Sequence, residues 1–360
     1  MTTLQDIDYS LPPELIAEEP WHPRDQCRML VYHQKTGQIA DCRFDQIVEQ
    51  LKPDDLLVFN DSSVLPAKLI LQRPTGWRTS GLFVAERHMG EWVMLIKSRG
   101  RCRIGEKLDV IAPDGTVAGT VELLSKNTDG HWVVRVAPEL SPVVFLSERG
   151  YMPLPPYIEQ ARKKNGHGSY RPEDRLEYQT VYARHPGSLA APTAGLHFTD
   201  AVLQRLAEKG IRRTSITLHI GLGTFLPVTT TNLADHHMHF ESFSIEPAAV
   251  KLLKDQHEAG GRIIAIGTTS VRAIEAAAEE IINGADAANP ISTSTDLLIT
   301  PGYKFRLCDG LVTNFHLPRT TLLALVAAKI GLAELHECYR HAVASRYRFF
   351  SYGDAMLIVD

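Results

Sequence analysis

The chain has 360 residues, of which 44% are hydrophobic and 22% are charged, and its formal net charge at neutral pH is −4. This length allows a large buried core and two or three domains. The slightly acidic balance gives no support to a nucleic-acid partner, because proteins that bind RNA through its phosphates are usually basic, at least locally. Such a partner has to be argued from a local patch or a motif.

The sequence pattern disfavours three classes of protein: membrane-spanning proteins, secreted proteins, and proteins with a zinc ribbon or an iron–sulfur cluster. The longest apolar run, Leu322 to Ala328, is far shorter than the roughly 20 residues of a membrane-spanning helix. The polar start of the chain lacks the basic and apolar segments of a signal peptide. The five cysteines are scattered without a C-x-x-C pair, which argues against a zinc ribbon or an iron–sulfur cluster. We therefore expect a cytoplasmic protein in a reducing compartment, with no membrane partner and no implied protein partner.

The first 150 residues divide into two parts. Residues 1–60 end in the apolar run Leu56–Phe59, which predicts a buried strand, and turn-forming residues follow it. Short segments rich in Val, Leu and Ile then recur between Gly, Pro, Asp and Asn, and they predict a small antiparallel sheet or barrel. These segments are Ala67–Gln72, Gly81–Glu86, Glu91–Lys97, Lys107–Ile111, Val117–Leu124 and His131–Ala137. The module is expected to end before the proline-rich stretch Pro153–Pro156, which cannot be interior helix or central strand.

From about Asp200 the pattern alternates between helix and strand, which indicates an α/β arrangement with a mixed sheet. The predicted helices are Asp200–Glu208, Pro247–Glu258, Thr269–Asn283, Thr320–Ile330 and Leu332–Ser345, and the predicted strands are Thr214–Ile220, Arg262–Ile266, Gly310–Phe315 and Ala355–Val359. Ile291–Thr295 is interpreted as a polar loop. The predicted division is a main α/β domain, 1–60 and 151–360, interrupted by a small β-barrel domain, 61–150.

Two glycine-containing clusters lie at predicted strand or helix ends. Gly195 precedes His197 just before a helix start, so its backbone can approach a ligand closely; a capping turn with a packed histidine is the alternative. The second cluster joins His219 to two glycines, Gly221 and Gly223, which have room for a ribose or a carboxylate. It lacks the third glycine of a dinucleotide fingerprint, and a plain turn remains open.

A histidine-rich segment precedes Glu241. In a strand, His237, His239 and Glu241 share one face. Two histidines and a carboxylate on one face suit zinc or iron, and they equally suit acid–base work in a cleft. A solvated loop is the third alternative.

Four further groups of residues are candidates. Thr268, Thr269 and Arg272 begin a predicted helix directly after a strand, which is an anion site by geometry and dipole or, alternatively, an ordinary helix cap. Asn314 and His316 lie at alternate positions of a strand. Asp354 follows an arginine and three aromatics, a set that suits nucleobase stacking and equally suits core packing. The basic stretch of residues 162–171 has the strongest local excess of positive charge, and its side chains are predicted to contact RNA phosphates; they are Arg162, Lys163, Lys164 and Arg171.

Seven stretches occur together in a characteristic order. They are Pro153–Ile158, Tyr178–Tyr182, Ala190–Phe198, Thr217–Phe225, Gly267–Arg272, Thr313–Pro318 and Arg348–Ile358. With Leu56–Asp61 and Val64–Leu69, the sequence resembles the S-adenosylmethionine:tRNA ribosyltransferase-isomerases of the queuosine pathway over essentially its whole length. It departs from the family's usual pattern at Ser63, at Lys68 and over Gly76–Gly81, and the basic stretch of residues 162–171 looks longer than usual.

The resemblance implies a transferase that moves and isomerises the ribosyl part of S-adenosylmethionine. The acceptor is 7-aminomethyl-7-deazaguanine at the wobble position of tRNA, and the products are epoxyqueuosine-tRNA, adenine and methionine. S-adenosylmethionine is then a co-substrate, and neither a prosthetic group nor a metal is expected. The resemblance also implies a barrel-like mixed α/β main domain with an inserted small β-barrel domain.

The chemistry implied by the resemblance assigns roles to the candidates. Proton transfer is expected from histidines with two orienting or alternative carboxylates; the catalytic candidates are His197, His219, His239, His316, Glu241 and Asp61. The donor or a phosphate is expected to contact Gly221, Gly223, Thr224, Thr268, Thr269, Arg272, Asn314 and Asp354. A hydrolase that binds a metal through His237, His239 and Glu241 is the alternative function, and a non-catalytic RNA-binding module is a further one.

Overall fold

The structure is a computed structural model that describes residues 2–97, 102–164, 166, 168, 170–225, 230–284 and 289–360, without the side chains of Thr224 and Phe225. Within these residues, no helix combines the length and the apolar character required to cross a membrane.

The described residues form seventeen strands, numbered in chain order. They are β1 (Arg28–His33), β2 (Gln38–Arg43), β3 (Leu56–Asn60), β4 (Ser62–Val64), β5 (Lys68–Gln72), β6 (Arg78–His88), β7 (Glu91–Ile96), β8 (Lys107–Ile111), β9 (Val117–Lys126), β10 (Trp132–Ala137), β11 (His185–Ser188), β12 (Arg212–Leu218), β13 (Glu241–Ile245), β14 (Ile263–Ile266), β15 (Ile291–Thr295), β16 (Gly310–Asn314) and β17 (Ala355–Val359).

The same residues form ten α-helices. They are α1 (Ile47–Gln50), α2 (Pro142–Arg149), α3 (Pro156–Lys164), α4 (Asp174–Glu177), α5 (Asp200–Glu208), α6 (Pro247–Glu258), α7 (Thr268–Ala276), α8 (Ala278–Asn283), α9 (Thr321–Ile330) and α10 (Leu332–Ala344). Short 3-10 turns connect several of these elements.

The chain forms two compact units. The first comprises Met1–Ser62, Thr180–His185 and Pro192–Asp360, and the second comprises Ser63–Gln179 and Pro186–Ala191. The barrel strands of the predicted insertion all belong to the second unit, which also includes the helices α2, α3 and α4.

The first unit is built on a nine-stranded sheet with the order β15-β13-β12-β3-β14-β16-β17-β1-β2. The strands β12, β3, β14 and β16 run parallel to one another, whereas β13 and β17 run antiparallel to their neighbours β12 and β16. Every residue of β3, β14, β16 and β17 is buried. This is the expected burial of central strands covered on both faces, and it explains why these segments are continuous apolar runs rather than alternating ones.

One edge of this sheet collects polar side chains, and we call it the carboxyl edge. The last residues of the four parallel strands lie there. Because β13 and β17 run in the opposite direction, their first residues reach the same edge, as does Asp354 just before β17. Ligands of open α/β sheets bind outside the carboxyl ends of the strands, so this edge is where a site is expected.

The second unit contains a closed six-stranded antiparallel barrel with the order β10-β7-β6-β5-β8-β9. Its core includes Trp92, whose ring meets those of Phe83 and Phe145 edge-on at centroid distances of 5.0 and 5.1 Å. Each barrel strand overlaps one of the six segments predicted from the sequence. The predicted mixed α/β fold with a small β-barrel is confirmed.

Three local predictions are corrected by the structure. Ile291–Thr295 is not a loop but the edge strand β15, which pairs with β13; its small β-branched and hydroxyl residues suit an edge with one exposed face. The predicted helix 269–283 is divided at Ala277 into α7 and α8. Of the histidine-rich segment, only Glu241 belongs to a strand, so His237 and His239 do not share a strand face with it.

Candidate active site at the carboxyl edge

Asn60 joins three elements at the carboxyl edge. Its side-chain amide donates to the carbonyl of Leu218 at 3.0 Å and to the hydroxyl of Thr269 at 3.2 Å. Its side-chain oxygen accepts from the backbone N–H groups of Ser62 and Leu218. Asn60 is fully buried, so these bonds fix the ends of β3 and β12 and the start of α7 relative to one another.

Asp61 follows Asn60 directly in the chain and is also buried. One of its carboxylate oxygens, Oδ1, accepts a hydrogen bond from the Thr217 hydroxyl at 2.7 Å. The other, Oδ2, lies 3.9 Å from Nε2 of His185. The carboxylate therefore keeps acceptor capacity on the side that faces the histidine.

His219 follows β12 directly and is partly exposed. Its Nδ1 atom is buried and has no hydrogen-bond partner among the described residues. Burial lowers the pKa of His219 and the neighbouring His185 lowers it further, while Asp61 acts in the opposite direction. The neutral imidazole is therefore favoured near neutral pH, and a neutral imidazole is the form that accepts a proton.

Glu241 and Arg272 form a buried ion pair at the same edge. The second carboxylate oxygen of Glu241 accepts from the backbone N–H of Gly221 at 3.1 Å. The guanidinium of Arg272 also donates to the carbonyls of Thr295 and Leu297. Arg272 is thus held by protein groups, and its predicted contact with the donor or a phosphate stays a prediction.

The histidines before Glu241 lie in an irregular segment, where His237 and His239 are exposed and His236 is partly exposed. The ring of His239 packs on Gly223, where an added Cβ would lie 2.6 Å from Cδ2 of the imidazole. Gly223 is therefore required for this contact, whereas a Cβ on Gly221 would meet open space. The predicted contact of the Thr224 side chain lies outside the described residues.

No metal-binding cluster supports the alternative of a metal centre. In the part of the chain that the structure describes, no three His, Cys, Asp or Glu side chains lie close enough together to hold a metal ion. Glu241, the carboxylate of the proposed ligand set, is instead paired with Arg272.

The start of α7 follows β14 through Gly267, whose φ of 88° is a conformation that favours glycine. The Thr269 hydroxyl accepts from Asn60, and the Ser270 hydroxyl donates to the carbonyl of Ile266 at 2.8 Å. The hydroxyl groups of Thr269 and Ser270 therefore stabilise the junction between β14 and α7. The predicted donor contacts of Thr268 and Thr269 remain predictions.

His197 lies in a closed environment on the same edge. Its Nε2 accepts from the side-chain amide of Asn314 at 3.1 Å, so its proton is on Nδ1, 3.2 Å from the sulfur of Cys27. Burial lowers the pKa of His197 to about 3, with smaller contributions from Arg24 and Arg348. Burial also raises the pKa of the Cys27 thiol, so both groups are neutral and do not form a thiolate–imidazolium pair.

The space beside His197 is small. A cavity of about 10 Å³ adjoins it, lined by residues that include Trp21, Arg24 and Tyr352. This volume suits about one water molecule, whereas pockets for small-molecule ligands usually measure about 300 Å³ or more. Together with the two occupied ring nitrogens, it indicates a packing role for His197 in this conformation.

The side chains of Asp354 and His316 also form hydrogen bonds to other protein groups. The carboxylate of Asp354 accepts from the Trp21 indole at 3.1 Å and from the backbone N–H groups of Arg28 and Arg348 at 2.9 and 2.7 Å. Nε2 of His316 lies 2.8 Å from the Thr313 hydroxyl, and burial lowers the pKa of His316 to about 4. Asp354 thus ties the start of β17 to the start of β1 and to the segments around Trp21 and Arg348, whereas the His316 ring bonds to β16 within its own segment.

The basic stretch of residues 162–171 lies in the second unit, and its four cations differ. Arg162 is 1% exposed and makes two hydrogen bonds of 2.8 Å to the carboxylate of Asp174. Lys163 and Lys164 are exposed at the end of α3. Arg171 is partly exposed and pairs with Glu177 at 2.8 Å. Only the two lysines therefore have the accessibility that a phosphate contact needs without rearrangement.

Several residues of this edge had no predicted role, namely Asn60, Thr180, Tyr182, His185 and Thr217. The available signal was their position beside the predicted candidates, because Asn60 precedes Asp61 and Thr217 precedes His219. Sequence proximity does not say which side chain turns toward the site.

Comparison with known proteins identifies the family. The profile of the family described as "Queuosine biosynthesis protein" matches residues 4–358. The chain belongs to this family. It is 45% identical over 368 residues to the S-adenosylmethionine:tRNA ribosyltransferase-isomerase of Cupriavidus metallidurans, an alignment that covers 99% of this chain and 98% of that protein. It is 42% identical over 358 residues to the protein of the same name from Halothermothrix orenii, with 99% of each chain covered.

A solved structure of the family has the same fold. The crystal structure of an S-adenosylmethionine tRNA ribosyltransferase from Thermotoga maritima matches with a TM-score of 0.55 and 32% sequence identity. The match covers 98% of this chain and 100% of that one. The family predicted from the seven motifs is therefore confirmed, and its named members are transferase–isomerases.

Proposed function

We propose that this protein transfers and isomerises the ribosyl moiety of S-adenosylmethionine onto 7-aminomethyl-7-deazaguanine at the wobble position of tRNA. The products are epoxyqueuosine-tRNA, adenine and methionine. The observation that carries the proposal is the 45% identity, over nearly the whole of both chains, to a protein named S-adenosylmethionine:tRNA ribosyltransferase-isomerase. The acceptor base and the products are those that the resemblance to this family implies. A tRNA substrate also favours the cytoplasm as the place of action.

The chemistry needs a base close to the donor. The positive sulfur of S-adenosylmethionine acidifies the adjacent C5′ hydrogens, and removal of one of them gives an ylide. Expulsion of adenine, attack by the substrate amine and loss of methionine with epoxide closure follow. Among the predicted histidines, His219 has the properties that a base requires, because it is partly exposed, its Nδ1 is unpartnered and burial favours its neutral form.

The two carboxylates of the edge suit different tasks. Asp61 retains acceptor capacity and lies beside His219, so it suits a role in binding or orienting reactive groups. Glu241 is occupied by Arg272 and Gly221, so it suits a role in positioning the loop that follows His219. His239, exposed and packed on Gly223, remains a candidate for contact with a substrate.

The proposal is tested by incubating the protein with S-adenosylmethionine and tRNA that carries 7-aminomethyl-7-deazaguanine. Adenine and methionine are expected together, and tRNA with guanine at the wobble position is the control that should give neither. Transfer of a methyl group without release of adenine would contradict the proposal.

The metal-dependent alternative is tested in the same assay. Activity is expected to survive exhaustive chelation, because the sulfonium supplies the positive charge that drives the reaction and a nearby divalent cation would repel it. Loss of activity on chelation, restored by zinc or iron, would instead favour a metal centre.

A further inference from the structure

Two hydroxyl groups of the first unit are buried without a partner. The hydroxyl oxygens of Tyr182 and Thr180 make no hydrogen bond to any described residue. Thr180 is 4% exposed, and the ring of Tyr182 packs edge-on against Phe59 at a centroid distance of 4.8 Å. Buried polar groups are nearly always hydrogen-bonded in folded proteins, so a pair of unsatisfied hydroxyls indicates a missing partner.

Gly195 determines where the Tyr182 hydroxyl lies. A Cβ atom on Gly195 would be 1.9 Å from the Tyr182 hydroxyl oxygen and 3.0 Å from Cγ2 of Thr180. Any residue with a side chain would therefore displace the phenol. The sequence predicted that the Gly195 backbone lies close to a ligand. In the structure, the missing side chain of Gly195 instead leaves the space that the Tyr182 hydroxyl occupies.

Asp61 lies between the chain segments that carry this hydroxyl and His219. Its carboxylate accepts from the hydroxyl of Thr217, two residues before His219, at 2.7 Å. Burial and, to a smaller extent, the charge of Asp61 raise the pKa of Tyr182, and the same carboxylate acts on His219. The backbone carbonyl of Asp61 also accepts from the N–H of Arg184 at 2.8 Å, which ties the segment after Tyr182 to the end of β3. One negative charge thus lies between two segments, each of which carries a buried polar atom without a partner among the described residues.

We propose that Asp61 and Tyr182, beside His219, form the subsite for the primary amine of the acceptor base, with Gly195 as the residue that seats Tyr182. The inference rests on the proposed function and deepens it by assigning the acceptor side of the site. A protonated primary amine has three N–H donors and one positive charge. The subsite offers two acceptors, namely the Asp61 carboxylate and the phenol oxygen, together with one negative charge. The carboxylate also takes the proton that the amine must lose before it attacks, and the imidazole of His219 stays free to act as the base.

The subsite is tested by binding rather than by turnover alone. The affinity of the protein is measured for tRNA that carries the aminomethyl base and for the same tRNA with guanine at that position. The wild-type protein is expected to prefer the first. Tyr182→Phe removes only the hydroxyl and is expected to reduce this preference about tenfold, since hydrogen bonds to charged groups are the stronger ones.

A matched control and a second variant complete the test. Tyr32→Phe alters a buried tyrosine on β1, four strands away from β3 in the sheet, and should leave the preference unchanged. Asp61→Asn removes the charge at nearly constant volume and is expected to reduce the preference at least as much as Tyr182→Phe. If Tyr182→Phe does not fold, the measurement with Asp61→Asn still tests the subsite.

The outcomes separate this inference from the proposed function. If the wild-type protein releases adenine but Tyr182→Phe and Asp61→Asn keep the full preference for the aminomethyl base, the subsite is wrong and the function stands. A rise in KM for S-adenosylmethionine with an unchanged preference between the two tRNAs would assign these residues to the donor and overturn the inference. Absence of adenine release by the wild-type protein would contradict the function itself.

Discussion

His197 and His219 both lie at the carboxyl edge of the sheet, and their surroundings are opposite. Both ring nitrogens of His197 contact protein groups, and the cavity beside it has room for about one water molecule. His219 is partly exposed, and its Nδ1 has no partner among the described residues. A histidine of a family motif therefore stabilises the fold where protein groups occupy both ring nitrogens, as in His197, and it keeps unused hydrogen-bonding capacity where they do not, as in His219.

The same comparison applies to the cations of the second unit. Arg162 is buried with its guanidinium on Asp174, whereas the next residue, Lys163, is exposed at the end of α3. Neighbours in one basic stretch therefore have different tasks, and the difference follows from their burial rather than from their charge.

Replacement of His219 should have the largest effect on activity. His219→Ala is expected to lower turnover about 100-fold or more, the usual contribution of a positioned general acid or base. The thermal midpoint should change little, because the Nδ1 atom makes no bond that would be lost. Adenine release and thermal unfolding are measured side by side, with the exposed His257→Ala as control. A variant that keeps more than a tenth of wild-type turnover would remove His219 from the chemistry.

Breaking the Glu241–Arg272 pair beside His219 should mainly affect stability. Arg272→Met leaves a buried carboxylate without its partner and is expected to cost about 3–5 kcal/mol of unfolding free energy. The double variant Glu241→Gln, Arg272→Met should be more stable than the single one, because no uncompensated charge remains. Denaturant unfolding of the three proteins measures this. Equal loss in the single and double variants would show that the pair contributes through packing alone.

Replacement of His197 should lower the stability of the fold, as a substitution in the hydrophobic core does. His197→Leu leaves the Asn314 amide with only the carbonyl of Phe350 as its acceptor, and a cost of about 1–3 kcal/mol in unfolding free energy is expected. At a temperature where the variant is folded, its turnover should fall at least tenfold less than that of His219→Ala. A larger loss of turnover in His197→Leu than in His219→Ala would show that His197, not His219, takes part in the chemistry.

The pH dependence of stability gives an independent measure of His197. Its pKa is about 3 in the folded protein and about 6.5 in an unfolded chain, so between these values the unfolded state binds the extra proton. Stability due to this group therefore falls as pH is lowered through this window, by up to about 1.4 kcal/mol per pH unit. The slope should be smaller by this amount in His197→Gln. The lowered pKa of His316 acts in the same direction in both proteins and cancels in the comparison.

The smallest effect is expected for the exposed lysines. Lys163→Gln with Lys164→Gln should weaken tRNA binding only several-fold at moderate salt and reduce the slope of log affinity against log salt by about one to two. Lys107→Gln on β8 is the exposed control in the same unit. An unchanged salt slope would show that the lysines do not contact phosphates.

The sequence alone determined the family and most of the secondary structure. Continuous apolar runs are what buried parallel strands require, so the strands now numbered β3, β14, β16 and β17 were predicted nearly to the residue. Regularly spaced turn residues likewise predicted all six strands of the barrel. The edge strand β15 was missed because a run of serine and threonine has no apolar face to mark it.

Which of the candidate side chains keep unused hydrogen-bonding capacity depends on the tertiary structure and could not be predicted from the sequence. The partners that occupy them are distant in sequence: Cys27 lies 170 residues from His197, Asn314 lies 117 residues from it, and Thr217 lies 156 residues from Asp61. A motif shows which polar groups occur together, because its residues are neighbours along the chain. Whether a group is saturated or free depends on hydrogen bonds and burial that form only when the strands assemble.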